Sequence, residues 1–142
     1  MSGTAINYCL DTNAVSDILR KRKTVVSRML AELHSGNHIT ICSIVYYEIV
    51  RWLKSSGAFK RLADFHELYD NLPLQLFLDR NNMRVIERAT DIYKQLHHGQ
   101  QIEDNDIYIA AITMEHDCVL VSDNIRHFSR IEGLRLVNWR TE

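Results

Sequence analysis

The architecture of this chain is best predicted from one segment near its start, Ile6-Asn7-Tyr8-Cys9-Leu10-Asp11-Thr12-Asn13. The first five residues form a largely apolar run that is typical of a buried strand. Asp11, Thr12 and Asn13 follow directly, and all three residue types favour the N-terminus of a helix. A strand that passes at once into a helix is the first half of a βαβ unit. The segment therefore predicts an α/β fold with a parallel sheet.

The rest of the chain continues the alternation of strand and helix. Strands are predicted over residues 5–10, 38–42, 74–78, 118–121 and 134–137. The spacing of apolar residues predicts helices over residues 13–22, 25–33, 43–56, 59–71, 83–98 and 104–116. Ser43 is the expected N-cap of the third helix, Pro73 is expected to stop the fourth, and Gly99 suits the C-cap of the fifth.

The bulk composition predicts a single domain over residues 1–142, with 46% hydrophobic and 25% charged residues, as in ordinary soluble globular proteins. No window is apolar over the ~18 residues that a membrane span needs. The N-terminus lacks a signal peptide pattern, so the expected location is the cytoplasm. A net charge of −1 does not indicate nucleic-acid binding, although an acidic pocket would mask a basic rim in this sum.

The chain has three cysteines, Cys9, Cys42 and Cys118, and each lies in or beside a predicted strand. Their odd number and apolar surroundings favour buried, reduced thiols that pack as small hydrophobic residues.

Four acidic residues border apolar sequence where predicted elements begin or end: Asp11, Glu48, Asp106 and Asp123. In open α/β sheets ligands bind outside the carboxyl ends of the strands, where Asp11 and Asp123 both fall. Asp106 begins the helix that leads into the strand before Asp123. We expect these acids to meet at one edge of the sheet, where a hard cation such as Mg²⁺ or Mn²⁺ would remove their repulsion.

Each acid also has a purely structural interpretation. Asp11 can cap the first helix, and Glu48 can be a solvated helical residue, although it shares a side of its helix with apolar neighbours. The run Glu103-Asp104-Asn105-Asp106 suits the positive end of a helix dipole. We expect Asp104 to cap this helix, whereas Asp106 has apolar neighbours at i+3 and i+4 and should face the sheet edge.

The acids together indicate a metal-dependent phosphodiester hydrolase. Hydrolysis needs an activated water and neutralised charge on the phosphoryl oxygens, which one or two Mg²⁺ ions provide. Asp11 and Asp106 are the predicted metal ligands, because Mg²⁺ keeps several waters and two carboxylates can hold it. Glu48 and Asp123 are expected to complete the pocket, bind a second ion or orient the attacking water.

The chain resembles a PIN domain, specifically the VapC-type toxins of bacterial toxin–antitoxin pairs, from about Tyr8 to Trp139. No single motif is specific, but their order and spacing are. The matching segments are Leu10-Asp11-Thr12-Asn13, residues 43–48, residues 102–111, Leu120-Val121-Ser122-Asp123-Asn124, His127-Phe128, Gly133-Leu134 and Asn138-Trp139.

The resemblance implies a three-layer α/β/α sandwich around a parallel sheet of four or five strands. It also implies a Mg²⁺- or Mn²⁺-dependent endoribonuclease that acts on RNA, is often a homodimer and is held inactive by an antitoxin protein. Carried over to this chain, the catalytic acids are Asp11, Glu48, Asp106 and the more variable Asp123. Thr12 and Ser122 match hydroxyl positions that help to arrange the acids.

The chain departs from the family pattern at several positions. Trp52 stands where the family often has glycine, and Glu103 stands where many members have glycine before the third acid. Asp104 is an additional acid, and the fourth acid of the family can also fall one position later, at Asn124 in this chain. One alternative stays open, a catalytically inactive PIN-fold module that binds nucleic acid or a partner protein, although the presence of all four acids speaks against it.

Overall fold

The computed structural model of the chain describes residues 3–72, 74–76, 82–96 and 101–142. Strands and helices alternate through most of these residues, as the sequence predicts. In chain order the elements are β1 (Asn7–Leu10), α1 (Thr12–Leu19), α2 (Lys23–His34), β2 (His38–Cys42), α3 (Ser43–Ser55), α4 (Phe59–Asp70), β3 (Leu74–Leu76), α5 (Met83–Gln95), α6 (Asp104–Glu115), β4 (Val119–Val121), α7 (Ile125–Phe128) and β5 (Leu136–Val137).

The strands form one parallel sheet in the order β3-β2-β1-β4-β5. The described helices flank this sheet, so the predicted α/β/α sandwich with a parallel sheet is confirmed, with five strands. The chain leaves β1 toward β2 and β3 on one side and later returns to β4 on the other. The order therefore reverses between β1 and β4, and a crevice opens there beyond the carboxyl ends of the two strands.

The middle of the sheet forms the core of the molecule. Nearly every residue of β1, β2 and β4 is buried, as expected of parallel strands covered on both faces. Helix α6 is also largely buried from Ile107 onward. Cys9, Cys42 and Cys118 are buried and free, which confirms their prediction as reduced core residues.

Several boundaries differ from the prediction by a few residues, because strand pairing rather than local composition defines where a strand ends. The first strand begins at Asn7, the first residue that pairs with β2. The last strand covers only Leu136–Val137, the two residues that pair with β4. The four-residue helix α7 was not predicted, because so short an element shows no periodicity.

Two predicted caps were wrong by one position. Ser43 is the first residue of α3 and Cys42 occupies the N-cap, because the strand runs directly into the helix. Glu103 occupies the N-cap of α6, so Asp104 lies in the first turn of that helix.

Parts of two predicted elements lie outside the described residues. These are the end of the third strand, residues 77–78, and the end of the fifth helix, residues 97–98, together with Pro73 and Gly99. None of the helices in the described part of the chain has the length and apolar character of a bilayer-spanning helix.

Candidate active site

Asp11 lies at the point where the strand order reverses. It follows β1 directly, and its backbone N–H donates a 2.9 Å hydrogen bond to the carbonyl oxygen of Val121 at the end of β4. This bond continues the ladder by one residue beyond the paired Leu10 and Val121. The carboxylate is consequently held at the carboxyl edge of the sheet, and the residue is only 4% exposed.

Polar side chains from two segments hold the Asp11 carboxylate. Ser122 Oγ donates a 2.8 Å hydrogen bond to Asp11 Oδ2, and Asn13 Nδ2 donates a 3.2 Å bond to the same oxygen. The pKa of Asp11 is nevertheless raised to about 6, chiefly because burial disfavours the charged form. The nearby charges of Glu48 and Asp123 raise it as well, while hydrogen bonds from Ser122 and from the Thr12 backbone lower it.

Glu48 lies on α3 and is half-buried. It faces an open pocket at this edge of the sheet, which Asp11 also lines. Thr12 Oγ1 donates a 2.7 Å hydrogen bond to Glu48 Oε1, and Asn105 Nδ2 lies 3.5 Å from Glu48 Oε2. These contacts join the first turns of α1 and α6 to the second turn of α3. The inward orientation of Glu48 is therefore the one observed, and Thr12 and Ser122 each contact an acid.

Asp106 is the third residue of α6 and is half-buried, whereas Asp104 is exposed to solvent. The pKa of Asp106 is raised to about 7, first by burial and then by the charges of Asp11, Glu48 and Glu103. The charges of two other pocket acids, Asp11 and Glu48, thus disfavour ionisation of Asp106. Repulsion of this kind is expected when acids converge without a cation.

Asp123 occupies a different position from the other three acids. Its Oδ2 lies 2.5 Å from Arg140 Nη1, and Arg140 also donates two hydrogen bonds, of 2.7 and 2.9 Å, to the buried carboxylate of Asp17. The ion pair directs the Asp123 side chain toward the C-terminal segment. Asn124, rather than Asp123, lines the acidic pocket. The charge of Asp123 still acts on the pocket, because it contributes to the raised pKa of Asp11.

The acids line an open pocket of about 420 Å³ at this edge of the sheet. It brings together Asp11, Glu48 and Asp106, as expected for three of the four acids. The residues that line it are Asp11, Thr12, Asn13, Ser16, Arg20, Glu48, Trp52, Asp106 and Asn124.

Three polar residues of this region were not predicted from the sequence as site residues. Asn13 contacts both Asp11 and Ser122, and Asn105 contacts Glu48. Arg140 holds Asp123 from the far end of the chain. Asn13 lies two residues after Asp11 and Asn105 lies directly before Asp106, so closeness to a predicted acid was the available signal. Nothing local to Arg140 indicates its partners.

The donor chemistry of the pocket fits a hard cation. Within the described part of the chain, no three His, Cys, Asp or Glu side chains are arranged to hold an ion by themselves. Two carboxylates are sufficient for Mg²⁺, which keeps several of its waters. Asp11 and Asp106 are the two pocket acids whose pKa values are raised, in both cases first by burial and then by neighbouring carboxylates, and a bound cation would oppose those shifts.

The chain matches a known protein family. Residues 8–134 match the family model described as the PIN domain. The chain belongs to the PIN domain family. Its four predicted acids and both hydroxyl residues lie within the matched range.

Individual relatives cover nearly the whole chain. The chain is 26% identical over 135 residues to Ribonuclease VapC2 of Haemophilus influenzae strain KW20 / Rd, with 94% of this chain and 98% of the relative covered. The structure of VapBC2 from Rickettsia felis, bound to a DNA fragment from its promoter, has a TM-score of 0.80 at 24% identity, covering 94% and 99% of the two chains. DNA-bound VapBC from Salmonella typhimurium has a TM-score of 0.78 at 26% identity, covering 94% and 98%.

Proposed function

We propose that this PIN domain is a cytoplasmic, metal-dependent endoribonuclease that hydrolyses RNA phosphodiester bonds as the toxin of a toxin–antitoxin pair. The observation that carries the proposal is the convergence of Asp11, Glu48 and Asp106 on one open pocket at the sheet edge. The ribonuclease name of the relatives supports the reaction. The VapBC complexes among the similar structures support an antitoxin partner, and a homodimer remains a prediction.

Asp11 and Asp106 would hold Mg²⁺ or Mn²⁺, with Asp11 fixed by Ser122 and Asn13. When bound, the ion supplies an acidified water and neutralises charge on the phosphoryl oxygens. Asp123 adds negative charge beside Asp11 without lining the pocket, so we assign it an electrostatic role rather than direct contact with RNA.

Glu48 is the group best placed to orient the attacking water. Glu48 Oε1 already accepts the hydrogen bond from Thr12. Glu48 Oε2 has only a long 3.5 Å contact with Asn105 Nδ2. In this assignment Oε2 accepts the proton that the water loses as its oxygen bonds to phosphorus. The bond between phosphorus and the leaving oxygen breaks, and solvent protonates that oxygen.

The direct test is cleavage of single-stranded RNA by purified protein with millimolar Mn²⁺, with and without EDTA. We expect fragments with Mn²⁺ and none with EDTA, and none from Asp11→Asn protein purified in parallel, which controls for contaminating nuclease. RNA that is bound but never cleaved under any of these conditions would instead support the inactive PIN-fold module.

An antitoxin has a suitable docking surface next to the acidic pocket. An apolar groove of about 480 Å³ runs between α1, α2 and α4, lined by residues that include Ile18, Met29, Leu33 and Leu68. Helix α1 contributes to both the groove and the acidic pocket. We propose that an amphipathic antitoxin segment fills the groove and places an Arg or Lys among the pocket acids, where it replaces the ion.

Two exposed leucines of α2 provide a matched test. Leu33 lines the groove and is 42% exposed, whereas Leu30 is 54% exposed and does not line it. With the protein encoded beside this chain's gene as inhibitor, we expect Leu33→Asp to weaken inhibition at least about tenfold, because a charge would enter an apolar contact. Leu30→Asp should be inhibited like wild type, and both variants should cleave RNA normally. Equal inhibition of both variants would place the antitoxin elsewhere.

A further inference from the structure

The acidic pocket is lined by an aromatic side chain, Trp52, as well as by the acids. Trp52 lies four residues after Glu48 on α3, so the two side chains share one side of that helix. Trp52 is half-buried and lines the pocket together with the acids. An aromatic ring one turn from a pocket acid places a large apolar surface where a substrate would enter.

Arg20 lies over this ring from the C-terminal end of α1. The guanidinium carbon is 5.6 Å from the centroid of the Trp52 ring, within the range of a cation–π contact. Arg20 is the one cationic side chain among the described residues that line the pocket. No carboxylate of the described residues forms an ion pair with it, although three line the same pocket.

An RNA strand that approaches this pocket faces a concentration of negative charge. Phosphates need a compensating cation at the pocket wall, and an arginine offers planar donors that match phosphate geometry. Arg20 is suited to this because the Trp52 ring, rather than a carboxylate, holds its guanidinium. Unpaired nucleotides are commonly bound by such combinations of arginine and aromatic side chains.

We propose that Arg20 and Trp52 form a subsite for an unpaired RNA nucleotide next to the catalytic acids. The Arg20 guanidinium donates hydrogen bonds to a substrate phosphate, and Trp52 acts as a positioning residue that holds the guanidinium at the pocket mouth. This inference rests on the proposed ribonuclease function and adds the substrate-binding residues to it.

A second arginine–aromatic pair, both of whose residues lie on α3, provides a matched control. Arg51 lies over Tyr47 with 5.0 Å between the guanidinium carbon and the ring centroid, and neither residue lines the pocket. Arg20→Ala and Arg51→Ala therefore each remove one stacked positive charge. Only the first removes it from the pocket wall.

The experiment measures cleavage of a short single-stranded RNA by wild type, Arg20→Ala, Arg51→Ala, Trp52→Ala and Trp52→Phe. We expect Arg20→Ala to raise KM about tenfold, the scale of a lost hydrogen bond to a charged group, with kcat within about threefold. Trp52→Ala should raise KM severalfold, and Trp52→Phe should restore most of it, because a smaller ring still supports the guanidinium. Arg51→Ala should leave KM within about twofold of wild type.

A second readout separates phosphate binding from a structural effect. RNA affinity is measured at several salt concentrations in the Asp106→Asn background, where RNA is expected to stay intact. Adding Arg20→Ala should make the slope of log affinity against log salt concentration shallower by about 0.7, the change expected for one lost phosphate contact on a single strand. An unchanged slope, or equal KM changes for Arg20→Ala and Arg51→Ala, would overturn the subsite while leaving the ribonuclease assignment intact. Absence of cleavage by wild type would instead reject the ribonuclease function itself.

Discussion

Asp106→Asn is expected to abolish RNA cleavage while Asp104→Asn retains most of it, although the two residues are two positions apart on the same helix. Asp106 lines the pocket and is half-buried, and its pKa is raised to about 7 by burial and then by the charges of Asp11 and Glu48. Asp104 is exposed and does not line the pocket. Asparagine keeps the shape of aspartate but removes the charge that would hold the cation.

The expected loss for Asp106→Asn is more than about a hundredfold in kcat/KM, since even indirect partners of metal ligands typically contribute ten- to a hundredfold. Asp104→Asn should stay within about threefold of wild type. Thermal unfolding of both variants without metal checks the fold, and the Asp106→Asn midpoint should be no lower than that of wild type at neutral pH, because one repelling charge is gone. An active Asp106→Asn beside an inactive Asp104→Asn would assign the third acid to Asp104.

Without metal, the protein is expected to lose stability as the pH rises from about 4 to about 7. Asp11 and Asp106 have folded-state pKa values of about 6 and about 7, above the value of about 3.9 for an unfolded aspartate. A group whose pKa is raised by folding favours the folded state below its unfolded pKa. That contribution disappears as the pH rises through the folded pKa, so the loss falls mainly between about pH 4 and about pH 7.

The size of this effect is set mainly by Asp11, which is almost fully buried. Its shift corresponds to about 3 kcal/mol, and the half-exposed Asp106 adds less because solvent screens it. For a chain of this length the unfolding midpoint should fall by on the order of 10 °C. Millimolar Mn²⁺ should reverse most of the fall above about pH 7, where the carboxylates are free to bind it, and should have little effect near pH 5.

Melting curves across this pH range, in EDTA and in Mn²⁺, measure both effects. Asp11→Asn should flatten the pH dependence in EDTA, whereas Asp104→Asn should preserve it, which assigns the effect to the pocket acids. An unfolding midpoint that rises with pH in EDTA, or that does not change when Mn²⁺ is added at neutral pH, would show that the acids do not converge as described.

Much of the fold could be predicted because it depends on local periodicity. The apolar run before Asp11 and the runs of β2 and β4 identify buried strands without tertiary information. A carboxylate that directly follows such a strand must lie at the carboxyl edge of a parallel sheet. This is why the placement of Asp11, and of Asp106 on the buried helix beside it, followed from sequence alone.

The orientation of Glu48 could not be decided in the same way. Its helix presents both apolar and charged neighbours, so periodicity allowed either an inward or a solvated side chain. The tertiary structure decides in favour of the pocket, because Thr12 reaches Glu48 across 36 positions of sequence with a 2.7 Å hydrogen bond.

The fourth acid shows the limit of local reasoning. Sequence position alone puts Asp123 at the end of β4, next to the other acids. Its side chain instead pairs with Arg140, which is itself held by the buried Asp17 from α1, 123 positions earlier in the chain. Local sequence determined the strands, the helices and the sheet edge on which the acids lie. Only the tertiary structure decided which side chains enter the pocket, because ion pairs between distant segments depend on distances in space that no local pattern encodes.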